Sequence, residues 1–124
     1  MDHRYKKFDV VELKTDVVDQ ETNINLGGWQ GRIFDFFEDE KGDIVAYIRW
    51  DSQTIQQIPK NFIDLCIDND LSWVDILIGV ESLSFGSARD TLEMAEWQRL
   101  EALSTYSWSQ AGKAGQKAQE VIKS

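Results

Sequence analysis

Hydrophobic and polar residues alternate regularly from Ile44 to Asp51, and this period of two predicts a β-strand. The face expected to turn toward a core carries Ile44, Ala46, Ile48 and Trp50. The opposite face carries Val45, Tyr47 and Arg49. A preceding strand is predicted from Trp29 to Glu38, and the loop from Glu38 to Asp43 has the glycine that a tight hairpin needs.

The preceding strand does not alternate cleanly, because four apolar residues crowd its middle and cannot all face one side: Ile33, Phe34, Phe36 and Phe37. Either a bulge shifts the register, or a C-terminal helix covers one of the aromatic rings. Gly31, within this strand, and the pair Gly27-Gly28 before it indicate points where the chain bends or another backbone approaches closely.

Shorter patterns predict the remaining elements of the first 90 residues. They are a first strand at Phe8–Lys14, a long loop at Thr15–Leu26 that folds back over one end of a small barrel, a fourth short strand at Thr54–Ile58, a helical turn at Asn61–Ile67, a closing strand at Ser72–Ile78 and a loop at Ser82–Ala88. For the closing strand a helix capped by Ser72 is the alternative.

A C-terminal amphipathic helix is predicted to begin at Asp90, with Glu93 completing a capping box. Its apolar stripe comprises Leu92, Ala95, Leu100, Leu103 and Tyr106, with Trp97 at the margin. We therefore divide the chain into a β domain at 8–80, a loop and packed helix at 81–108, and a flexible or weakly helical tail at 109–124.

The charge balance restricts the class of partner. Acidic residues outnumber basic ones by 22 to 13, giving a formal net charge of −9. Because nucleic acids and anionic membranes bind mainly through basic side chains, neither is an expected partner, whereas a basic protein or a hard cation is compatible. With one cysteine, no internal disulfide forms, and no signal peptide is visible. We expect a cytoplasmic protein.

Catalytic chemistry has little support in the sequence. His3 is the only histidine and lies near the terminus, so Cys66 and the serines lack the usual general base. Cys66 lies in an apolar segment, as inert buried thiols do. We therefore predict that the chain is not an enzyme.

A protein-binding surface is the preferred functional hypothesis. An exposed tryptophan beside an acidic loop is typical of peptide-docking domains, and the candidate residues are Trp29, Asp16, Asp19, Glu21, Tyr47 and Arg49. An aromatic cage for a cation, built from Trp29, Tyr47, Trp50 and Phe62, is a second possibility, and core packing is a third. The chain is expected to be a monomer, or a homodimer through its C-terminal helix.

Calcium binding is the alternative function. The hairpin supplies the oxygen ligands that Ca²⁺ prefers, and the candidates are Asp39, Glu40 and Asp43. The same charges are also typical of a solvated hairpin tip. The calcium-loop pattern D-x-[DN]-x-[DN]-G does not occur in the chain.

Several short strands, a glycine-rich bend and a helical turn after Ile58-Pro59 resemble an SH3-like or Tudor-like small barrel. Four segments also resemble the opening part of a family of bacterial proteins of unknown function, some of which are labelled calcium-binding. They are G-W-Q-G-R-I (Gly28–Ile33), W-D-S-Q-T (Trp50–Thr54), I-P-x-x-F-I-x-x-C (Ile58–Cys66) and A-R-D-T (Ala88–Thr91). The resemblance covers Phe8 to Thr91 and implies a mainly β fold with α: a small barrel of about five strands followed by the helix.

Overall fold

A five-stranded antiparallel sheet forms the body of the protein. The computed structural model describes residues 4–105. The strands are β1 (Val10–Leu13), β2 (Gln30–Glu38), β3 (Ile44–Trp50), β4 (Asp75–Gly79) and β5 (Leu83–Phe85), in the spatial order β4-β3-β2-β1-β5. The expectation of a mainly β fold with a C-terminal helix is confirmed. Among the described residues no ladder joins the edge strands β4 and β5, so a closed barrel stays a prediction.

Strands β2 and β3 form the centre of the sheet and follow the predicted pattern. Ala46, Ile48 and Trp50 are buried on one face of β3. In β2 the register shifts between Ile33 and Asp35, so Phe34 has no ladder partner. Of the two predicted alternatives, the bulge is therefore present, and it lets Ile33 point into the core while Phe34 turns to the other face.

Three α-helices accompany the sheet: α1 (Ser52–Gln57), α2 (Lys60–Asp68) and α3 (92–105). A short 3-10 turn, Val80–Ser82, joins β4 to β5. The core lies between the inner face of the sheet, helix α2 and the loop before β2, where Leu26 is fully buried. The predicted folding back of that loop is confirmed, since Val17 and Ile24 also pack on the core. Within the described residues, none of the helices has the length and apolar content that crossing a membrane requires.

The predicted strand at Thr54–Ile58 is wrong, because this segment belongs to helix α1. The side chain of Asp51 accepts a hydrogen bond from the backbone N of Thr54 at 2.8 Å and so caps the helix. Thr54 and Ile55 are both buried, which an alternating strand would not allow. Helix α2 is close to its predicted range. The apolar spacing predicts that Phe62, Ile63, Leu65 and Cys66 face the core, and all of these except Leu65 are buried.

Two further boundaries differ from the prediction. Ser82–Ala88 was expected to be a loop, but Leu83–Phe85 forms β5 and pairs with β1. The closing strand begins at Asp75 rather than Ser72, because pairing with β3 starts there. Trp73 and Val74 are buried but precede this pairing. Strands this short have too few residues for alternation to show, and only pairing with a neighbour defines them.

Asp90 does not cap α3, contrary to the prediction. The hydroxyl of Thr91 accepts a hydrogen bond from the backbone N of Met94 at 3.1 Å and has that role instead. The carboxylate of Asp90 pairs with Arg32 at 2.8 Å and accepts a hydrogen bond from the backbone N of Ser52, also at 2.8 Å. Asp90 thus connects α3 to β2 and α1.

A second ion pair lies beside the first. Arg89 donates to both carboxylate oxygens of Asp51, at 2.8 to 3.0 Å, and to the hydroxyl of Thr54 at 3.0 Å. The segments W-D-S-Q-T and A-R-D-T, distant in the sequence, therefore meet at this polar cluster. Arg32, from the segment G-W-Q-G-R-I, completes it. The cluster fixes where α3 starts on the sheet.

Candidate functional site

An open pocket of about 240 Å³ lies between the loop before β2, helix α2 and the start of β4. Its wall is mostly apolar and its charged residues are all acidic, so we call it the acidic pocket. Its lining residues are Asp19, Glu21, Trp50, Phe62, Cys66, Leu71, Ser72, Asp75, Ile76 and Leu77.

The acidic side of this pocket is held by a tightly closed loop. The backbone N of Leu26 donates to the carbonyl of Val17 at 2.8 Å, and Val18 forms an isolated bridge with Asn25. Asp19 accepts hydrogen bonds from the backbone N and the hydroxyl of Thr22, at 3.0 and 2.6 Å. Because these bonds fix the Asp19 carboxylate, its charge is held at the pocket, and among residues 4–105 no salt bridge to Asp19 is present.

Three aromatic rings pack together beside the acidic pocket. The ring of Trp29 contacts those of Trp50 and Phe62 edge-on, with centroids 5.3 and 5.1 Å apart. Trp50 is 1% exposed, and its Nε1 has no hydrogen-bond partner among the described residues. Trp50 and Phe62 line the pocket, whereas Trp29 contacts both rings without lining it. Trp29 is therefore half-buried and contributes to the site through its neighbours.

Asp75 provides a third carboxylate, from the strand beside β3. Its Oδ2 accepts a hydrogen bond from the hydroxyl of Tyr47 at 2.6 Å. Burial, followed by this hydrogen bond to Asp75, raises the pKa of Tyr47 above its usual value. Tyr47 is thus fixed as a neutral donor and orients Asp75 rather than lining the pocket itself.

Arg49 is occupied by contacts within the molecule. It forms an ion pair with Glu96 of α3 and donates to the hydroxyl of Tyr47 at 3.2 Å. Its guanidinium lies 4.4 Å from the ring centroid of Phe34. Burial alone would lower the pKa of Arg49, but the contacts with Tyr47 and Glu96 outweigh it and raise the pKa. Arg49 therefore connects the outer face of the sheet to α3.

The predicted binding residues thus fall into three places. Asp19 and Glu21 line the acidic pocket, and Trp29 packs behind it. Tyr47 and Arg49 lie on the outer face of the sheet, and Asp16 is exposed in the loop without lining the pocket. The sequence did not indicate that Asp75 and Leu77 would join the site, because only the pairing of β4 with β3 brings them there.

The thiol of Cys66 lies in the pocket wall and is 2% exposed. Burial, with a smaller effect of the Asp19 charge, raises the pKa of Cys66 to about 11. A thiol with this pKa is almost entirely protonated at neutral pH and is a poor nucleophile. The residue acts here as an apolar part of the wall.

The hairpin carboxylates are separated from the acidic pocket and make local contacts. Asp39 accepts hydrogen bonds from the backbone N of Lys41 and of Asp43, both at 2.9 Å. Glu40 and Asp43 are exposed. Across residues 4–105, no three His, Cys, Asp or Glu side chains converge into a group that could hold a metal ion. The Asp39 carboxylate is used to close the turn.

Comparisons of the chain with protein-family models, with curated proteins and with solved structures found no match.

Proposed function

We propose that this chain is a non-catalytic protein-interaction module whose acidic pocket receives a basic side chain of a partner protein. The observation that carries the proposal is the arrangement of Asp19, Glu21 and Asp75 around an apolar pocket. A lysine or arginine side chain matches this arrangement, because its aliphatic stem packs on apolar surface while its charged head remains near carboxylates and water.

Three features support a binding role. The Asp19 carboxylate is positioned in advance by Thr22, so a partner would not have to order it. Leu71, Ile76 and Leu77 are not fully buried and add apolar surface on which the stem of a basic side chain can pack. The net charge of −9 would also attract a basic partner at long range.

The proposal can be tested with a capped Gly-Lys-Arg-Lys-Gly peptide titrated into the ¹⁵N-labelled protein, with a Gly-Glu-Asp-Glu-Gly peptide as the probe of opposite charge. We expect the basic peptide to shift the amide signals of Glu21, Cys66 and Leu71. Each carboxylate contact is worth up to about 1 kcal/mol, so the double variant Asp19→Asn/Glu21→Gln should bind about fivefold, and at most about thirtyfold, more weakly. Added salt should weaken the wild-type interaction.

The matched control is Asp39→Asn/Asp43→Asn, which removes the same charge from the distant hairpin. We expect it to bind the basic peptide nearly as the wild type does. An equal loss in both double variants would show that only the overall charge matters. The proposal would also fail if the basic peptide shifted no signals around the pocket.

A further inference from the structure

Helix α3 is apolar on two sides, of which the sheet and core cover only one. On the inner side Ala95 is buried, and Ala102 and Leu103 pack against the core. On the outer side Met94, Trp97 and Leu100 are 56%, 66% and 60% exposed. Residues spaced by three lie on one face of a helix, so these three form a continuous outer stripe. Large exposed apolar patches mark interaction surfaces.

A groove of about 420 Å³ runs along this outer stripe between α1 and α3. Its walls include Ser52 and Gln56 from α1, and Met94 and Trp97 from α3. The side-chain N of Gln56 donates to the side-chain O of Gln98 at 3.1 Å. Since the Asp90 carboxylate also holds the backbone N of Ser52, both walls are fixed relative to each other. The groove therefore exists before any partner binds.

The charges beside the outer stripe are acidic. Glu93 and Glu101 are exposed, and each lies four residues from Trp97, on either side of it. The described part of α3 has two other charged residues, and neither is a free exposed charge. Glu96 is paired with Arg49, and Arg99 is half-buried. An occupant of the groove thus meets an apolar centre with a carboxylate toward each end.

We propose that the outer stripe docks an amphipathic helix of a basic protein partner. A second copy of the chain fits less well for electrostatic reasons. In an antiparallel pair crossing at Trp97, Glu93 would face Glu101 of the other copy, and in a parallel pair each glutamate would face itself. Either arrangement brings like charges together at both ends of the contact.

The same geometry defines the partner helix. Glu93 and Glu101 are eight residues apart, which corresponds to about 12 Å along the helix axis. The partner needs apolar residues at helical spacing in its middle and a lysine or arginine toward each end, about two turns apart. Docking of this kind places the apolar face of a helix in an apolar groove. This site is separate from the acidic pocket and does not depend on it.

The probe for the test is a fluorescein-labelled peptide of about 18 leucine and lysine residues patterned as an amphipathic helix, long enough to form a helix on its own. Binding is followed by fluorescence anisotropy at low and physiological salt. We expect Trp97→Ala to weaken binding at least about tenfold, because a central tryptophan commonly dominates such interfaces. Glu93→Gln/Glu101→Gln should weaken it about threefold or more at low salt. A leucine–glutamate peptide should not bind.

Three controls test whether the peptide binds at the outer stripe and nowhere else. Phe37→Ala removes another exposed aromatic ring, 51% exposed, and should change the affinity less than about twofold. Asp19→Asn/Glu21→Gln removes binding of peptide lysines at the acidic pocket, and in this background Trp97→Ala should still weaken peptide binding by the same factor. Thermal melts check that each variant is folded, and Trp97→Ala should pass this check because Trp97 is mainly exposed.

Several results would overturn the proposal. One is equal affinity of the peptide for the wild type and for Trp97→Ala. Another is a dimer of the wild type in sedimentation equilibrium that Trp97→Ala dissociates, which would assign the stripe to a second copy. A third is peptide binding that becomes tighter, at a salt concentration that screens long-range attraction, after the tail lysines Lys113, Lys117 and Lys123 are changed to glutamine, which would assign the stripe to the chain's own tail.

Discussion

Replacing Asp90 by alanine tests the polar cluster that fixes α3 on the sheet. The side chains of Asp90 and Arg32 are 1% and 8% exposed, so the ion pair between them is almost fully buried. Without the carboxylate, Arg32 keeps its 2.7 Å hydrogen bond to the backbone carbonyl of residue 90 but loses its counter-ion. The backbone N of Ser52 loses its acceptor at the same time.

The expected loss of stability is large. Removing one member of a buried ion pair leaves an uncompensated charge and typically costs about 3–5 kcal/mol. That is a substantial part of the roughly 5–15 kcal/mol by which domains are stable. Asp90→Asn keeps an oxygen acceptor and loses only the charge, so we expect about 1.5–3 kcal/mol for this variant.

Urea unfolding followed by circular dichroism measures this loss. With an m-value of about 1–3 kcal/mol per molar urea, a loss of about 3 kcal/mol lowers the midpoint by about 1–3 M. Burial by itself would raise the pKa of Asp90, but hydrogen bonds from Ser52 and the pairing with Arg32 outweigh it and lower the pKa. The stabilisation is therefore complete above the unfolded-state pKa of about 3.9 and is lost as the pH falls through the lower, folded-state pKa.

The free energies of unfolding of the wild type and of Asp90→Ala should accordingly differ most near neutral pH and become similar in acid. The control is Asp35→Ala, since the pair of Asp35 with Lys7 is at 3.9 Å and its side chains are 50% and 60% exposed. Such exposed pairs contribute about 0–1 kcal/mol. A loss below about 1 kcal/mol for Asp90→Ala at neutral pH would refute the reasoning, as would a difference that persists unchanged below the folded-state pKa.

Two further predictions concern the sheet and the pocket wall. In Gly31→Ala the new methyl group would collide with the backbone carbonyl of Arg49. We therefore expect the free energy of unfolding to fall by about 1–3 kcal/mol or more in the same urea assay. An unchanged urea midpoint would contradict the close approach of β2 and β3 at Gly31. Cys66, with its pKa raised to about 11, should react with a disulfide reagent at pH 7.5 at least about a hundredfold more slowly in the folded protein than in urea; equal rates would contradict its burial.

Local patterns in the sequence predicted much of the fold. The alternation from Ile44 to Trp50 gave β3 and its buried face. The crowded apolar residues of β2 predicted either a bulge or an aromatic ring covered by the C-terminal helix, and the structure has a bulge at Phe34. The apolar spacing near Phe62 predicted α2, and the C-terminal helix was also predicted. These features depend on the period of side chains along one segment, which nearby residues determine.

The candidate sites were predicted only in part. The acidic loop was recognised from its charges, and two of its carboxylates line the acidic pocket. Asp75 could not be assigned to that pocket, because it arrives through the pairing of β4 with β3. Similarly, Trp97 and Leu100 were placed on or beside the packed stripe of α3, but both are exposed. A helical period shows that a helix has apolar residues, and not which of them the sheet will cover.

The sequence alone thus determined the mainly β class, the central strands, the helices α2 and α3, and the acidic character of the surface. The tertiary structure decided the helical state of Ser52–Gln57, the existence of β5 and the role of Asp90. Short segments such as these have weak local preferences, so their conformation follows from the partners that packing supplies. Arg32 and Ser52 lie far from Asp90 in the chain, and only the folded arrangement of β2, α1 and α3 brings the three residues into contact.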